Sequence, residues 1–440
     1  MRNIVFAITL FFSFPALAVP VQEVKTKAGL TAWLVEEHSQ PLITVNIAFR
    51  DSGRSYDSDG KEGRAAMVSA LLMEGAGDLD SDAFTIALEN SAVRLGFSAD
   101  DDNFYGNMES LSENKEKAFL YLGMALTAAS FDDVAVTRVK NQTKSAIKEQ
   151  QEKPAYRLSR SWQKQIFGNH PYAKEELGTK ESVETLNADD FRDFTKNYLT
   201  QKNIVISVVG DISASELSAL LDKNLSGLSK NYNPEVKISD IKLPEIAKQT
   251  IIEQDIPQTM VRFGMEGIKR ADPDYIPAYV MNYILGDGGL TSRLALEIRE
   301  KRGLTYGVST GLVPMRHAEI FYGGFATRNE KVGEAIGVLK DTLKEYAKNG
   351  ASDKELADAK EFLTGSFVVG LSSNSSIVNF ITMMQLQNLG IDYMERRNNL
   401  IRAVTSEQVK NIAKKLIQLD KLQIVMVGKP QLAELKESKK

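Results

Sequence analysis

The chain has 440 residues, an apolar fraction of 43%, a charged fraction of 25% and a formal net charge of −4. That length exceeds one ordinary domain and calls for two or three. The near balance of 54 basic against 58 acidic residues gives no electrostatic reason for nucleic acid or an anionic membrane as a partner. With no cysteine, the chain forms no disulfide and no thiolate metal site and takes no lipid at a cysteine.

The N-terminus reads as an export leader. Arg2 supplies the positive start, Ile4 to Phe14 is almost wholly apolar, and Ala16-Leu17-Ala18 forms an A-x-A cleavage site. A cleaved signal over residues 1–18 and a mature start at Val19 are expected. The apolar run is shorter than the roughly 20 residues a membrane span needs, and no later stretch qualifies. Export of a cysteine-free chain fits a bacterial periplasm.

A strand pattern follows at Leu42 to Phe49, then an apolar helix ending in Leu71-Leu-Met-Glu-Gly75-Ala-Gly77. Asp78, Asp80 and Asp82 alternate, and Glu89 falls at the twelfth position, as in part of a calcium loop. Ala83 stands where that loop requires glycine, so the acidic run reads as a cap on the helix that starts there. The three histidines, His38, His170 and His317, are far apart in sequence. None forms the pair one helical turn apart that a helical zinc site uses, so each reads as a surface or loop residue. His170 sits in the turn signature Gly168-Asn-His-Pro-Tyr172.

The chain then repeats itself. Leu186 to Gly210 and Val404 to Gly428 align without a gap, since 404 − 186 and 428 − 210 both give 218. Phe191 matches Val409, Phe194 matches Ile412, Tyr198 matches Leu416 and Ile206 matches Ile424. Each copy has apolar positions at helical spacing followed by a β-branched run. A weaker echo pairs Leu71 to Gly77 with Asn282 to Gly288, and a strand pattern at Met260 to Met265 precedes the second as Leu42 to Phe49 precedes the first. These patterns predict two α+β domains of similar fold, each a mostly antiparallel sheet packed with helices. They span residues 19–228 and 250–440, with residues 229–249 as a linker containing two prolines and mixed charges.

The second half holds the segments with chemical content. Gly286-Asp-Gly288-Gly289 lacks the Walker lysine and serine, which argues against phosphate binding. It reads either as a helix C-cap and turn or as a side-chain-poor surface that a peptide backbone can approach. Gly307-Val-Ser309-Thr-Gly311 has the letters of a nucleophile elbow, but its context reads as strand up to Val313 and Pro314 discourages a following helix. Between them, Leu294-Ala-Leu-Glu-Ile-Arg299-Glu-Lys-Arg-Gly303-Leu-Thr-Tyr306 places an arginine late in a helix, a glycine stop, and a tyrosine entering an extended segment. Arginine offers five fixed donors and tyrosine a hydroxyl on a rigid ring, so the pair suits a peptide carbonyl. The plainer alternative is the solvated end of an amphipathic helix, where cations suit the dipole.

Read whole, Thr291 to Ser309 resembles the second-domain signature of the pitrilysin/insulinase-type zinc metallopeptidases, which include the mitochondrial processing peptidases. The resemblance extends to Asn169-His-Pro-Tyr172, Gly178-Thr179, Val208-Val-Gly-Asp211 and the duplication, and covers essentially the whole mature chain. It implies two homologous halves in a clamshell. It also implies a zinc-binding His-x-x-Glu-His helix and a distal glutamate in the first half, and a substrate-holding arginine and tyrosine in the second. Here the second pair is present as Arg299 and Tyr306, while the zinc positions hold Ala66, Ser69 and Ala70 and the distal position holds Ala146. Some bacterial relatives divide the site between two chains, and this sequence is similar to the half without zinc. The resemblance therefore implies no cofactor in this chain, zinc in a homologous partner subunit, and a heterodimer that handles peptides or unfolded polypeptides. Arg299 and Tyr306 would act in trans, with Gly286, Gly288 and Gly289 beside the peptide. A non-enzymatic peptide-binding or scaffold protein of the same fold is the other reading.

Overall fold

The computed structural model describes residues 20–432, so the expected export leader lies outside the described residues. The strands are β1 (Gln22–Lys25), β2 (Thr31–Glu36), β3 (Leu42–Arg50), β4 (Gly75–Ala76), β5 (Leu79–Asp80), β6 (Arg94–Ala99), β7 (Asn103–Leu111), β8 (Ile204–Gly210), β9 (Lys248–Glu253), β10 (Gln258–Glu266), β11 (Val308–Pro314), β12 (Glu319–Arg328) and β13 (Gln423–Gly428). They form one sheet in the order β1-β2-β8-β3-β7-β6, a second in the order β11-β12-β10-β13-β9, and a small hairpin of β4 and β5. In each large sheet one pairing is parallel, β2 with β8 and β9 with β13, and the others are antiparallel. The architecture is α+β in two similar halves, as the sequence predicts.

The duplication is visible element by element. Helices Ala188–Tyr198 and Ser406–Leu416 are each 11 residues, with starts and ends both displaced by 218 (406 − 188 and 416 − 198). Each is closed at its N-terminus by a capping box, from Asn187 and from Thr405. Each then feeds the central strand, β8 or β13.

Those central strands do not alternate apolar and polar residues, and the reason lies in what covers them. Ile206 and Val208 of β8 and Ile43, Val45, Ile47 and Phe49 of β3 point into the core of the first half. The opposite face carries Val209, with Val35 of β2, and packs against Ile377, Val378, Ile381 and Met384. Those residues belong to helix Asn374–Leu386, which comes from the second half of the chain. Gln385 Nε2 donates to Ser207 Oγ at 2.8 Å, Asn46 Nδ2 donates to Asn379 Oδ1 at 2.6 Å, and Arg50 donates to the Gln385 carbonyl at the helix end. The converse holds on the second sheet. Helix Pro154–Phe167, from the first half, lays Leu158, Trp162 and Ile166 over Val425 and Val427 of β13. Strands buried on both faces read as continuous apolar runs. A boundary drawn along the chain near residue 229 thus separates the sheets but not the helices that cover them. The expected linker is also packed down: Leu243 is buried in the second interface, Tyr232 Oη donates to the Asp51 carbonyl, and β9 already starts at Lys248.

Between the halves lies a polar cleft of about 750 Å³, walled by Asn46, Asp100 and Tyr105 on one side and Lys269, Arg316 and Glu319 on the other. A hydrogen-bonded cluster joins the halves beside it. Tyr172 Oη donates to Asp102 at 2.5 Å and accepts from the His317 backbone N–H at 3.1 Å. The Arg316 N–H donates to the other Asp102 oxygen, and the Arg316 guanidinium pairs with Asp51 at 2.5 Å. His317 lies in the loop between β11 and β12, as expected of a loop residue. Its side chain is nevertheless mostly covered, with Nε2 3.1 Å from Tyr56 Oη and Nδ1 3.1 Å from Asp240. Among the described residues no single helix is long and apolar enough to cross a membrane.

Candidate functional site

Helix Arg64–Leu71 carries the three positions aligned with the zinc motif. At i, i+3 and i+4, Ala66, Ser69 and Ala70 share one face of that helix. Helix Asp133–Glu152, which carries Ala146, packs against it. The positions that the resemblance assigns to zinc thus lie on two packed helices and carry no strong metal donor. Alanine offers none, and the Ser69 hydroxyl is turned back onto the Ala66 carbonyl at 2.7 Å. Among the described residues no group of three or more histidine, aspartate or glutamate side chains is arranged to hold a metal ion. The residues present do not fit zinc.

The start of that helix is held firmly even so. A Cβ on Gly63 (φ 92°) would lie 2.4 Å from the Leu177 carbonyl oxygen, and one on Gly178 (φ 75°) 2.1 Å from that of Glu62. These two glycines let the segments touch backbone to backbone. Asp57, fully buried, accepts from the Gly63 N–H at 3.0 Å and the Ala65 N–H at 3.1 Å. Arg64, also without exposed surface, lies 3.6 Å from Asp57 and packs over the rings of Phe194 and Tyr198. Burial pushes the Asp57 carboxyl up to about 7 against the pull of Arg64 and the two backbone donors.

The arginine–tyrosine segment is built differently. Tyr283–Asp287 and Ala295–Glu300 are both π-helical turns, and both pack against edge strand β11. The glycine loop joins them. Widened turns of this kind are frequent at functional sites. The second turn stops at Gly303 (φ 60°), where the Gly303 N–H reaches the Arg299 carbonyl at 2.9 Å and the Leu304 N–H reaches that of Ile298 at 3.0 Å. Leu304 and Thr305 are then buried, and Thr305 Oγ1 donates to the Ala326 carbonyl of β12 at 2.8 Å. With its neighbours pinned, Tyr306 projects outward and is 87% exposed.

Arg299 and Tyr306 are brought together. Arg299 Nε donates to the Tyr306 backbone carbonyl at 3.0 Å, which fixes the guanidinium and leaves its two terminal nitrogens without a protein acceptor among the described residues. The cations beside it are occupied. Lys301 and Arg302 both pair with Glu297, at 2.6 and 2.8 Å, and hold that carboxyl below its usual range. Arg299 has no carboxylate within 4 Å among the described residues. A planar cation with two unused N–H donor groups, held on the backbone of a residue whose phenol is exposed, can grip a peptide carbonyl or carboxylate.

The remaining candidates separate. Gly286 is buried, and a Cβ there would lie 2.3 Å from Thr310 Oγ1, so this glycine serves the packing of the helix on β11. Gly288 is partly buried and Gly289 exposed. Ser309 lies within β11, paired opposite Gly324, and no helix follows it, so the elbow context is absent. Asp80 caps helix Ser81–Asn90 by accepting from the Ala83 N–H at 2.8 Å, as the acidic run predicts. Sequence reasoning missed the cluster of Asp51, Tyr56, Asp102, Tyr172 and Arg316. Its members lie up to 265 positions apart (316 − 51), and the one local trace, Asp100-Asp-Asp102, reads as a turn.

Comparison with known proteins fits this arrangement. A family model described as the peptidase M16 inactive domain matches residues 185–363. A crystal structure described as the peptidase M16 inactive domain from Pseudomonas fluorescens is 32% identical. It covers 94% of this chain and 99% of its own, with a TM-score of 0.87. The chain belongs to the peptidase M16 family, as an inactive homologue. Among its relatives is a Helicobacter pylori protein named non-peptidase homolog YmxG, 26% identical over 431 residues, which are 96% of this chain and 98% of that one. The fold alone is shared with the periplasmic protease PqqL of Escherichia coli, at 16% identity and a TM-score of 0.80, where this chain spans 48% of the larger molecule.

Proposed function

We propose that this chain is the zinc-free, non-catalytic subunit of an exported, heteromeric M16 metallopeptidase of the periplasm. It binds peptide or unfolded polypeptide and supplies Arg299 and Tyr306 to a site completed by a homologous, zinc-bearing partner. The observation that carries this reading is the asymmetry between the two candidate sites. The metal positions hold Ala66, Ser69, Ala70 and Ala146, whereas Arg299 and Tyr306 are intact, adjacent and free of competing carboxylates. A solvated helix end gains from the Arg299 hydrogen bond but has no use for the exposed Tyr306 ring. A donor pair aimed at a substrate carbonyl uses both, because preorganised donors stabilise the charge that develops there.

The test is coexpression with a zinc-bearing homologue and steady-state peptidase assay of the complex. Arg299→Ala should lower turnover by roughly a hundredfold, matching the roughly 3 kcal/mol that one such donor contributes. Assembly and metal content of the complex should stay unchanged. A mutant complex working at the wild-type rate would leave the chain as a binding scaffold.

A further inference from the structure

A second cavity, of about 610 Å³, lies among the helices of the second half, and nothing in the preceding reading uses it. Its walls are aromatic and aliphatic, with Tyr275, Tyr279, Phe367, Phe380 and Tyr393 among them. Its volume is that of an ordinary small-ligand site. Two arginines also line it, Arg270 and Arg397. Among the described residues neither has a carboxylate within 4 Å, whereas most other arginines do, Arg54, Arg160, Arg293 and Arg316 among them.

The two guanidiniums are held in different ways. Arg397 is 8% exposed, packs over the Phe367 ring at 4.3 Å and donates to the Leu363 carbonyl at 3.1 Å. Its charge is buried with neutral partners only, an arrangement that favours an incoming anion. Arg270 packs over the Tyr275 ring, its Cζ 4.2 Å from the centroid, and its Nη2 donates to Tyr393 Oη at 2.6 Å. Its Nε and Nη1 have no protein acceptor among the described residues. Arg270 also stands on the wall shared with the polar cleft, as do Asn379 and Met383. Apolar surface continues beyond Phe367, where Val368 and Val369 are 60% and 73% exposed.

We infer that this cavity binds an amphipathic carboxylate, with an apolar or aromatic body seated among the rings and its carboxylate on Arg270 at the cleft side. A neutral apolar ligand would leave Arg270 without a counter-charge, and a cation would be repelled by Arg270 and Arg397. A fully hydrophilic anion would gain nothing from the five rings. The chemistry fits either a free acid or the C-terminal residue of a peptide lying in the cleft. The site does not involve Arg299 or Tyr306, so its failure would leave the proposed function standing.

Titration calorimetry of the purified protein tests this with decanoate, decanol and decyltrimethylammonium, and with a short peptide ending in phenylalanine as free acid and as amide. Saturable decanoate binding is expected, with decanol and the cation weaker by about tenfold or more. Arg270→Gln should erase the preference of acid over alcohol while leaving decanol binding in place. Met383→Trp, which fills the cavity from its shared wall, should remove decanoate binding in a protein whose circular dichroism is unchanged. Preference for the free-acid peptide over its amide identifies peptide C-termini as a source, and binding of decanoate alone identifies free acids. The inference is overturned by absent binding of both carboxylates, by decanol binding as tightly as decanoate, or by full decanoate binding in folded Met383→Trp.

Discussion

Ile381 offers the sharpest test of how the two halves are joined. It lies on helix Asn374–Leu386, has no exposed surface, and packs in the cluster that includes Val35 and Val209 of the first sheet. Ile381→Ala removes three carbons. At about 0.8 kcal/mol for each buried methylene this loses about 2.4 kcal/mol, and the cavity left behind raises the cost to about 4 kcal/mol. The two tryptophans report on the two interfaces separately. Trp33 packs beside helix Asn374–Leu386 on the first sheet, and Trp162 lies under the second. Urea unfolding should therefore be followed by fluorescence in Trp162→Phe and Trp33→Phe backgrounds. If each half is completed by a helix of the other, Ile381→Ala shifts both reporters together, as coincident transitions require of one cooperative unit. Ile86→Ala, at an exposed site on helix Ser81–Asn90, should change stability by less than about 0.5 kcal/mol. A loss below about 1 kcal/mol for Ile381→Ala, or a shift confined to Trp33, would refute the cooperative exchange.

Three further outcomes follow from the site. Tyr306→Ala should leave the unfolding midpoint within about 0.5 kcal/mol of wild type, because the ring is exposed, while weakening peptide binding measured by fluorescence anisotropy. Gly286→Ala should cost about 1–3 kcal/mol, since the new methyl meets Thr310, and the double variant with Thr310→Ala should be less than additive by urea unfolding. Glu355 gives the pH test. Burial raises its carboxyl, but Arg293, bonded at 2.7 and 2.8 Å, and the Ser352 donors outweigh this and bring it down to about 2. The folded-state value is thus depressed, so this stabilisation is present above the unfolded glutamate pKa of about 4.3 and is lost as pH falls from there towards 2. Glu355→Gln should lower the melting temperature at pH 7 and flatten its decline below pH 4.5, as scanning calorimetry would show.

Much of the fold is legible in the sequence because it is local. The repeat at offset 218 follows from helix periodicity and β-branched runs in each copy, and Ala188–Tyr198 and Ser406–Leu416 fall on it. The Arg299–Tyr306 pair is legible because a glycine stop places the two residues on adjoining elements seven positions apart. The covering of β8 by Ile377 and Ile381 is not, since contacts between residues so distant leave no period in either segment. The apolar face of helix Pro154–Phe167 shows that it packs, not what it packs on. Gly286 illustrates the same limit, because a glycine required by Thr310 reads no differently from one that admits a ligand.

The reciprocal covering of the sheets also sets an order of events during biosynthesis. A nascent chain can pair β3, β7 and β8 once about 210 residues have emerged, yet Val35 and Val209 stay wet until the segment from Ile377 to Met394 arrives. For all that time a greasy sheet surface faces solvent, a state prone to aggregation. Cutting the gene between the halves should accordingly yield two insoluble products that become soluble only when made together.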